Sequence, residues 1–263
     1  MSAVLVEEDR DTLSAVDLNV AIAGRILVRD LTFTLEPGQF TAVLGENGAG
    51  KTTTLHTLAG LTPAVSGQVL LGGRPLNAWP RRARARRLGL LPQVSEDPFP
   101  ATVLESALIG RHPYVGFWQW EGERDLGLVR AALSECDLTG ADSRMVATLS
   151  GGERRRLALA TVLAQDPGVM LLDEPLNHLD PHHQQDVLEC LRRRADAGKA
   201  VLATLHDATL AARYADRVLL LYGDGGWEFG TVAATLTGPR LSRLFRITVR
   251  EHALEGRRVF LAG

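Results

Sequence analysis

The sequence predicts an α/β fold in which a parallel sheet is covered by helices and a helical segment is inserted between strands. Three observations predict it. Strand-like and helix-like stretches alternate along much of the chain, the pattern that builds parallel sheets through crossover connections. A glycine-rich loop, Gly45 to Gly50, joins a short apolar run to a helix. From about Thr102 to Gln165 the periodicity turns helical, as in Leu126, Val129, Arg130 and Leu133, before strands resume. With 263 residues, 45% of them hydrophobic, the chain can fill a sizeable core.

In chain order, residues 1–15 read as a polar tail. Leu31, Phe33 and Leu35 alternate with Thr32, Thr34 and Glu36, a half-exposed strand, and Pro37-Gly38 is a turn. Residues 40–44 are a short apolar run and read as a buried strand. The helix over 51–59 is ended by Gly60, with Pro63 beyond. Residues 69–71 and 88–91 read as strands, and about 98–165 as the helical insertion. Alternation then returns: strand 169–172, helix 181–197, strand 200–205, helix 207–214 and strand 218–221. Residues 227–263 mix short strands with a helix near 241–245.

Composition narrows the function classes. Twenty-nine basic and 31 acidic residues leave a net charge of −2, which disfavours non-specific nucleic-acid binding. Cys136 and Cys190 are too few for a disulfide scaffold, fit a reducing compartment and read as packing residues in helices. No run approaches the roughly 18 apolar residues of a membrane span. The acidic first ten residues lack the basic start of a secretory signal. Twenty-seven of the basic residues are Arg, so only Lys51 and Lys199 can supply an ammonium.

Gly45-Glu46-Asn47-Gly48-Ala49-Gly50-Lys51-Thr52 matches G-x-x-x-x-G-K-[ST], between a strand and a helix as the motif requires. Small residues let backbone N–H groups close around phosphate oxygens, and the helix N-terminus adds partial positive charge. Lys51 can reach the β and γ phosphates and the Thr52 hydroxyl can ligate Mg²⁺; Thr53, next in the chain, completes the candidate nucleotide-binding set. Downstream, Val169-Met170-Leu171-Leu172-Asp173-Glu174 is a buried strand that ends in two acids. At the carboxyl edge of a sheet, where ligands bind in such folds, Asp173 can hold Mg²⁺ and Glu174 can act as general base on water. A plain acidic strand end is the bland alternative, and the phosphate loop argues against it.

Leu149-Ser150-Gly151-Gly152-Glu153 separates this chain from other P-loop NTPases. Here it resembles the nucleotide-binding subunit of ABC transporters, whose signature is L-S-G-G-E or L-S-G-G-Q. Gln93 in Leu91-Pro92-Gln93 matches the family's Q-loop, Asp180 in Asn177-His178-Leu179-Asp180 its D-loop, and His206 in Leu205-His206-Asp207 its switch histidine. The resemblance spans about residues 16–230. It implies a mixed sheet with an N-terminal antiparallel part and a helical subdomain. It also implies a head-to-tail homodimer sandwiching two ATP molecules, each signature covering the γ-phosphate held by the other chain. Gln93 would contact Mg²⁺ or the attacking water, and His206 the γ-phosphate. Bland readings stand beside these: Ser150 and Glu153 form a capping box, and Asp180 before Pro181 is a good N-cap.

Leu90 to Gln93, Gly110 to Tyr114 and Leu163 to Pro167 extend the resemblance to importers of iron-siderophores, haem and cobalamin. That implies an ATPase on the cytoplasmic face of the inner membrane, partnered by permease subunits and, through them, by a substrate-binding protein. Exporters and soluble ABC ATPases acting on DNA or ribosomes are the alternatives. Tyr114, Phe117, Trp118 and Trp120 are expected either in the permease-facing groove or in a local core. Arg81 to Arg87, five arginines in seven residues, is expected to be a solvated helix face rather than a nucleic-acid or lipid patch. One departure from the family stands out: the aromatic that usually stacks the adenine is replaced near Ile22, and no Tyr, Phe or Trp precedes Phe33.

Overall fold

A computed structural model describes residues 11–93, 100–116 and 120–263. The chain opens with the hairpin β1 (Leu13–Ile22) and β2 (Arg25–Leu35), followed by β3 (Phe40–Leu44) and α1 (Lys51–Leu58). Next come β4 (Ser66–Leu71), β5 (Arg74–Pro75), α2 (Arg81–Arg87) and β6 (Leu88–Leu91). The helical insertion contains α3 (Val103–Leu108), α4 (Glu123–Glu135) and α5 (Gly151–Gln165). Strand and helix then alternate through β7 (Val169–Leu172), α6 (Pro181–Asp196), β8 (Ala200–Thr204), α7 (Ala208–Tyr214) and β9 (Arg217–Leu221). β10 (Trp227–Thr231), α8 (Val232–Thr235), α9 (Gly238–Phe245) and the hairpin β11 (Val249–Leu254), β12 (Arg257–Ala262) complete it.

The central sheet has the order β10-β9-β3-β8-β7-β6, parallel except for β10. A separate antiparallel sheet, β2-β1-β4-β5, packs on one side. The parallel strands are apolar at almost every position because both faces are buried. Ala42, Leu172, Ala203 and Leu220 pack toward the helical side with Leu133, Leu159 and Leu188. The alternate residues Val43, Leu171, Leu202 and Leu219 pack toward the antiparallel sheet and Leu55 and Leu58 of α1. Each of the leucines and valines among them contributes about 1.5–3 kcal/mol by leaving water.

Four sequence expectations need comment. The tail is shorter than residues 1–15, since Leu13 to Ala15 begin β1 with Leu13 and Ala15 buried. The ten-residue strand escaped the sequence reading because its register shifts after Ala15, so the buried positions Leu13 and Ala15 fall out of step with Leu18 and Val20. β2 also starts earlier than the alternation from Leu31 suggested, at Arg25. The arginine run is a helix with no buried residue, as expected, yet its side chains are tethered: Arg82 and Arg86 donate to the Pro113 carbonyl and Arg87 to Asp11. Of the aromatic stretch, Tyr114 packs locally, its hydroxyl donating to the Gln165 carbonyl at 3.0 Å, while Trp120 is exposed. Phe117, Trp118 and the first ten residues of the tail lie outside the described residues.

Candidate functional site

β3, β8, β7 and β6 are neighbours and all parallel, so their carboxyl ends share one edge of the sheet. The loop from Gly45 to Gly50 leaves β3, His206 follows β8, Asp173 and Glu174 follow β7, and Gln93 follows β6. A cavity of about 570 Å³ opens there. Asn47, Gly48, Gly50, Lys51, Thr52, Thr53, Gln93, Glu174 and His206 line it, together with Ile22, Arg25 and Leu27 of the β1–β2 hairpin. The chain thus gathers residues from Ile22 to His206 at one place, the phosphate loop, Gln93, Glu174 and His206 through the order of the central sheet and the hairpin residues through the second sheet packed beside it.

The phosphate loop is shaped by close approach. Gly50 has φ 99°, and a Cβ there would meet the Leu27 Cβ at 2.9 Å, so both conformation and space demand glycine. The buried Lys51 Nζ donates to the carbonyls of Gly45, at 2.7 Å, and Glu46, at 3.0 Å, while Ala49 N donates back to the Glu46 carbonyl. Two of the three ammonium protons are therefore spent on holding the loop, leaving one for a ligand oxygen. Burial lowers the Lys51 pKa, opposed by the charges of Glu174 and Asp173. Helix α1 begins with no side-chain cap and no acid in its first turn.

Glu174 stands at the centre of a ring of donors. Its Oε2 accepts from Gln93 Nε2 at 3.0 Å and from Asn177 Nδ2, and its Oε1 lies 3.0 Å from His206 Nε2. Burial pushes the carboxyl pKa up, but the hydrogen bonds from His206, Gln93 and Asn177 and the charge of His206 outweigh it and hold the pKa below the usual glutamate range. Its backbone is left-handed, φ 48°, a conformation costing about 1–3 kcal/mol in a non-glycine residue. Thr204 stabilises that turn: its Oγ1 accepts from Glu174 N at 2.6 Å and donates to Asp173 Oδ1 at 2.9 Å. Asp173 is fully buried, and its Oδ2 has no partner.

Three contributors escaped the sequence reading. Thr204 was visible in principle as the one hydroxyl in the apolar run from Ala200 to Leu205. Asn177 was read only as the start of the segment that carries Asp180, with nothing to mark its contact with Glu174. Arg155, buried in α5, donates to the carbonyls of Pro92, at 2.6 Å, and Asp173, and so clamps the strand ends that carry Gln93 and Glu174. Burial lowers its pKa to about 10, against the opposing charges of Asp173 and Glu174, so it stays cationic. It is one of three consecutive arginines, and only its helical phase with buried Leu159 and Val162 sets it apart.

Ser150, Gly151, Gly152, Glu153 and Asp180 form a second group. Ser150 caps α5 and Asp180 caps α6, each accepting from the backbone N–H three residues on, with Pro181 in the first turn of α6. The two helix starts touch: a Cβ on Gly152 would come within 2.9 Å of the His178 carbonyl. None of the five lines the phosphate-loop cavity.

Residues 28–177 match the family model described as ABC transporter. The hemin import ATP-binding protein HmuV of Myxococcus xanthus is 46% identical over 227 residues, covering 84% of this chain and 84% of that protein. The HmuV protein of Pseudomonas fluorescens strain Pf-5 is 42% identical and covers 94% of this chain and 98% of its own. Among solved structures, a metal-chelate type ABC transporter in an inward-facing conformation superposes with a TM-score of 0.82 at 27% identity, covering 96% of this chain and 97% of that one.

Proposed function

The chain belongs to the ABC transporter family, whose ATP-binding domain hydrolyses ATP, and from that premise we propose that it is the ATPase subunit of a haem importer. One observation carries the reading: Lys51, Gln93, Glu174 and His206 converge on one cavity, in a chain alike over most of its length to hemin import ATP-binding proteins. Siderophore and cobalamin uptake are the neighbouring alternatives for cargo.

In this reading the phosphate loop, Lys51 and the start of α1 hold the triphosphate of ATP. Thr52, Gln93 and Asp173 hold Mg²⁺. They offer only oxygen ligands, which the ion prefers, and Asp173 Oδ2 is a buried carboxylate oxygen still lacking a partner. Bound there, Mg²⁺ neutralises charge on the phosphate oxygens. Glu174 takes a proton from water as the water oxygen bonds to the γ-phosphorus and the bond to ADP breaks. Gln93 and His206 orient Glu174 and exchange that contact for the water and the γ-phosphate. Ser150 to Glu153 and Asp180, which do not line the cavity, face the nucleotide of a second copy in a head-to-tail dimer. No helix among the described residues is long and apolar enough to cross a membrane. The transport path belongs to separate permease subunits, with the ATPase bound peripherally at the cytoplasmic face of the inner membrane and a binding protein delivering cargo.

The test captures tagged Glu174→Gln protein with Mg-ATP from detergent-solubilised native membranes and identifies its partners. The complex with wild-type ATPase is then reconstituted and its turnover measured with haem, a ferric siderophore or cobalamin. A polytopic permease and stimulation by haem alone are expected. Stimulation by another cargo would replace haem, and recovery of ribosomal or DNA-associated proteins without a permease would overturn the transport role.

A further inference from the structure

The end of β8 sets a single hydroxyl against the strand end that carries the two acids. All five residues of β8 are buried, and Thr204, its last, is the one with a polar side chain. β7 and β8 are parallel neighbours whose last paired residues are Leu172 and Ala203, so Asp173 and Thr204 stand side by side one step beyond the ladder. A hydroxyl has one proton to give and two lone pairs. Here the N–H of Glu174 donates to Thr204 Oγ1 at 2.6 Å, and the hydroxyl proton goes to Asp173 Oδ1 at 2.9 Å. With the backbone of Glu174 on its acceptor side, the hydroxyl is aimed at the carboxylate.

The backbone of Asp173 is pinned separately. Its N–H donates to the Leu91 carbonyl at 2.9 Å, and its own carbonyl accepts from Arg155 Nη2. Those contacts fix the main chain between β6 and α5 but leave the carboxylate free to turn about its side-chain bonds. The bond from Thr204 removes that freedom. It occupies Oδ1 and leaves Oδ2 as a buried carboxylate oxygen with no partner among the described residues. Burying a charged oxygen without a partner is costly, so its retention at the end of β7 points to a cation that completes it.

We propose that Thr204 is a positioning residue for the metal: its hydroxyl holds the Asp173 carboxylate by Oδ1 so that Oδ2 stays free for the Mg²⁺ that accompanies ATP. A ligand that is already oriented loses less freedom when the ion arrives, and the partner that orients it governs how tightly the ion is held. The same hydroxyl anchors the N–H of Glu174, so one oxygen atom sets both the metal ligand and the backbone of the general base. The proposal rests on the cavity being the ATP site.

The experiment measures the Kd of ATP for the full chain with excess Mg²⁺ and again in EDTA, in a Glu174→Gln background that blocks turnover. The ratio of the two constants reports what the protein gains from the metal. Thr204→Val is expected to weaken binding of Mg-ATP about 10–100-fold, the usual effect of removing the partner of a metal ligand, and to leave binding in EDTA unchanged. Thr204→Ser, which keeps the hydroxyl, is expected to keep the ratio. Thermal melting reports whether each variant folds, and Thr204→Cys, whose thiol is a weak donor, carries the same expectation should the valine variant not fold. A purely structural role would weaken binding equally with and without metal. That outcome, an unchanged ratio in Thr204→Val, or a parent chain that gains nothing from Mg²⁺ would each overturn the proposal. Lys51→Ala keeps the two readings apart, because unchanged ATP binding in EDTA there would refute the cavity assignment itself.

Discussion

The helix that follows the phosphate loop and the helix that follows Ser150 both start among glycines, yet one starts bare and the other capped. No side chain caps α1, and its first turn holds no acid. At α5, Glu153 N donates to Ser150 Oγ at 3.2 Å and Ser150 N donates to Glu153 Oε2 at 2.8 Å. Arg144 Nη1 then donates to Glu153 Oε1 at 2.7 Å. The bare end keeps its N–H groups and its share of the macrodipole for an anion, so a phosphate completes the helix. The capped end is satisfied by its own residues and already carries a carboxylate. It can add the Gly151 and Gly152 N–H groups to a phosphate held elsewhere, but it is poorly suited to capture one unaided. That asymmetry suits a site in which one chain binds the nucleotide and another closes over it.

If the bare-ended site carries the chemistry, the largest effect falls on Glu174. Glu174→Gln is expected to lower ATP turnover by about 10²–10⁴-fold, the usual worth of a positioned general base, while nucleotide binding persists. Steady-state ATPase and equilibrium binding on the same preparation check it, and turnover within about tenfold of wild type would remove Glu174 from that role. Lys51→Ala comes next. Loss of a charge-assisted bond of about 1.5–3 kcal/mol is expected to weaken ATP binding roughly 10–100-fold. The same assay on Ser150→Ala should show no loss for the isolated chain, and a loss there equal to that of Lys51→Ala would erase the distinction between the two helix starts.

Acidity sharpens the picture further. The Glu174 pKa is lowered because hydrogen bonds from His206, Gln93 and Asn177, with the charge of His206, outweigh burial. A base with a lowered pKa stays ionised at neutral pH and loses activity only as pH falls through that lowered value. His206→Ala removes one of the donors that lower it in the nucleotide-free chain, so the acid limb of the kcat/KM profile, which reports the free enzyme, is expected to move to higher pH, whatever happens to the maximal rate. A profile of unchanged shape would mean that the contact between His206 Nε2 and Glu174 does not tune the base.

The sequence made the central sheet legible because its strands are buried on both faces. Apolar runs such as Val169 to Leu172 can hardly be anything else when two acids follow and a helix comes next. The phosphate loop, Gln93, Asp173, Glu174 and His206 were legible for the same reason, since each follows such a run, whereas Ser150 to Glu153 and Asp180 were read from capping patterns and the family resemblance. What stayed hidden was set by tertiary contact. Leu13 to Ala15 join a sheet through pairing with β2 and β4, partners that lie far along the chain. Arg155 looks like its neighbours Arg154 and Arg156 until α5 is docked and only one of the three points at the Pro92 and Asp173 carbonyls. Thr204 matters because β7 and β8 are adjacent, which no local pattern states.

The smallest expected effect is in stability. Ser150→Ala removes an N-cap and is expected to cost about 0.5–2 kcal/mol, read as a fall in Tm. Its partner Glu153 gives the cost a pH signature. The hydrogen bond from Arg144, then those from Ser150, lower the Glu153 pKa to about 2. A carboxyl whose folded pKa lies below its unfolded value, about 4.3 for glutamate, contributes its stability above the unfolded value and loses it as pH falls toward the folded one. Glu153→Gln is therefore expected to lower Tm at pH 7, with a gap to wild type that narrows below about pH 4.3. Because Arg144 is exposed and Glu153 partly so, the gap should also shrink with added salt. A gap insensitive to both pH and salt would place the stabilisation in neutral hydrogen bonding. The cap on α5 would then carry no ionic contribution, and its contrast with the bare start of α1 would rest on geometry alone.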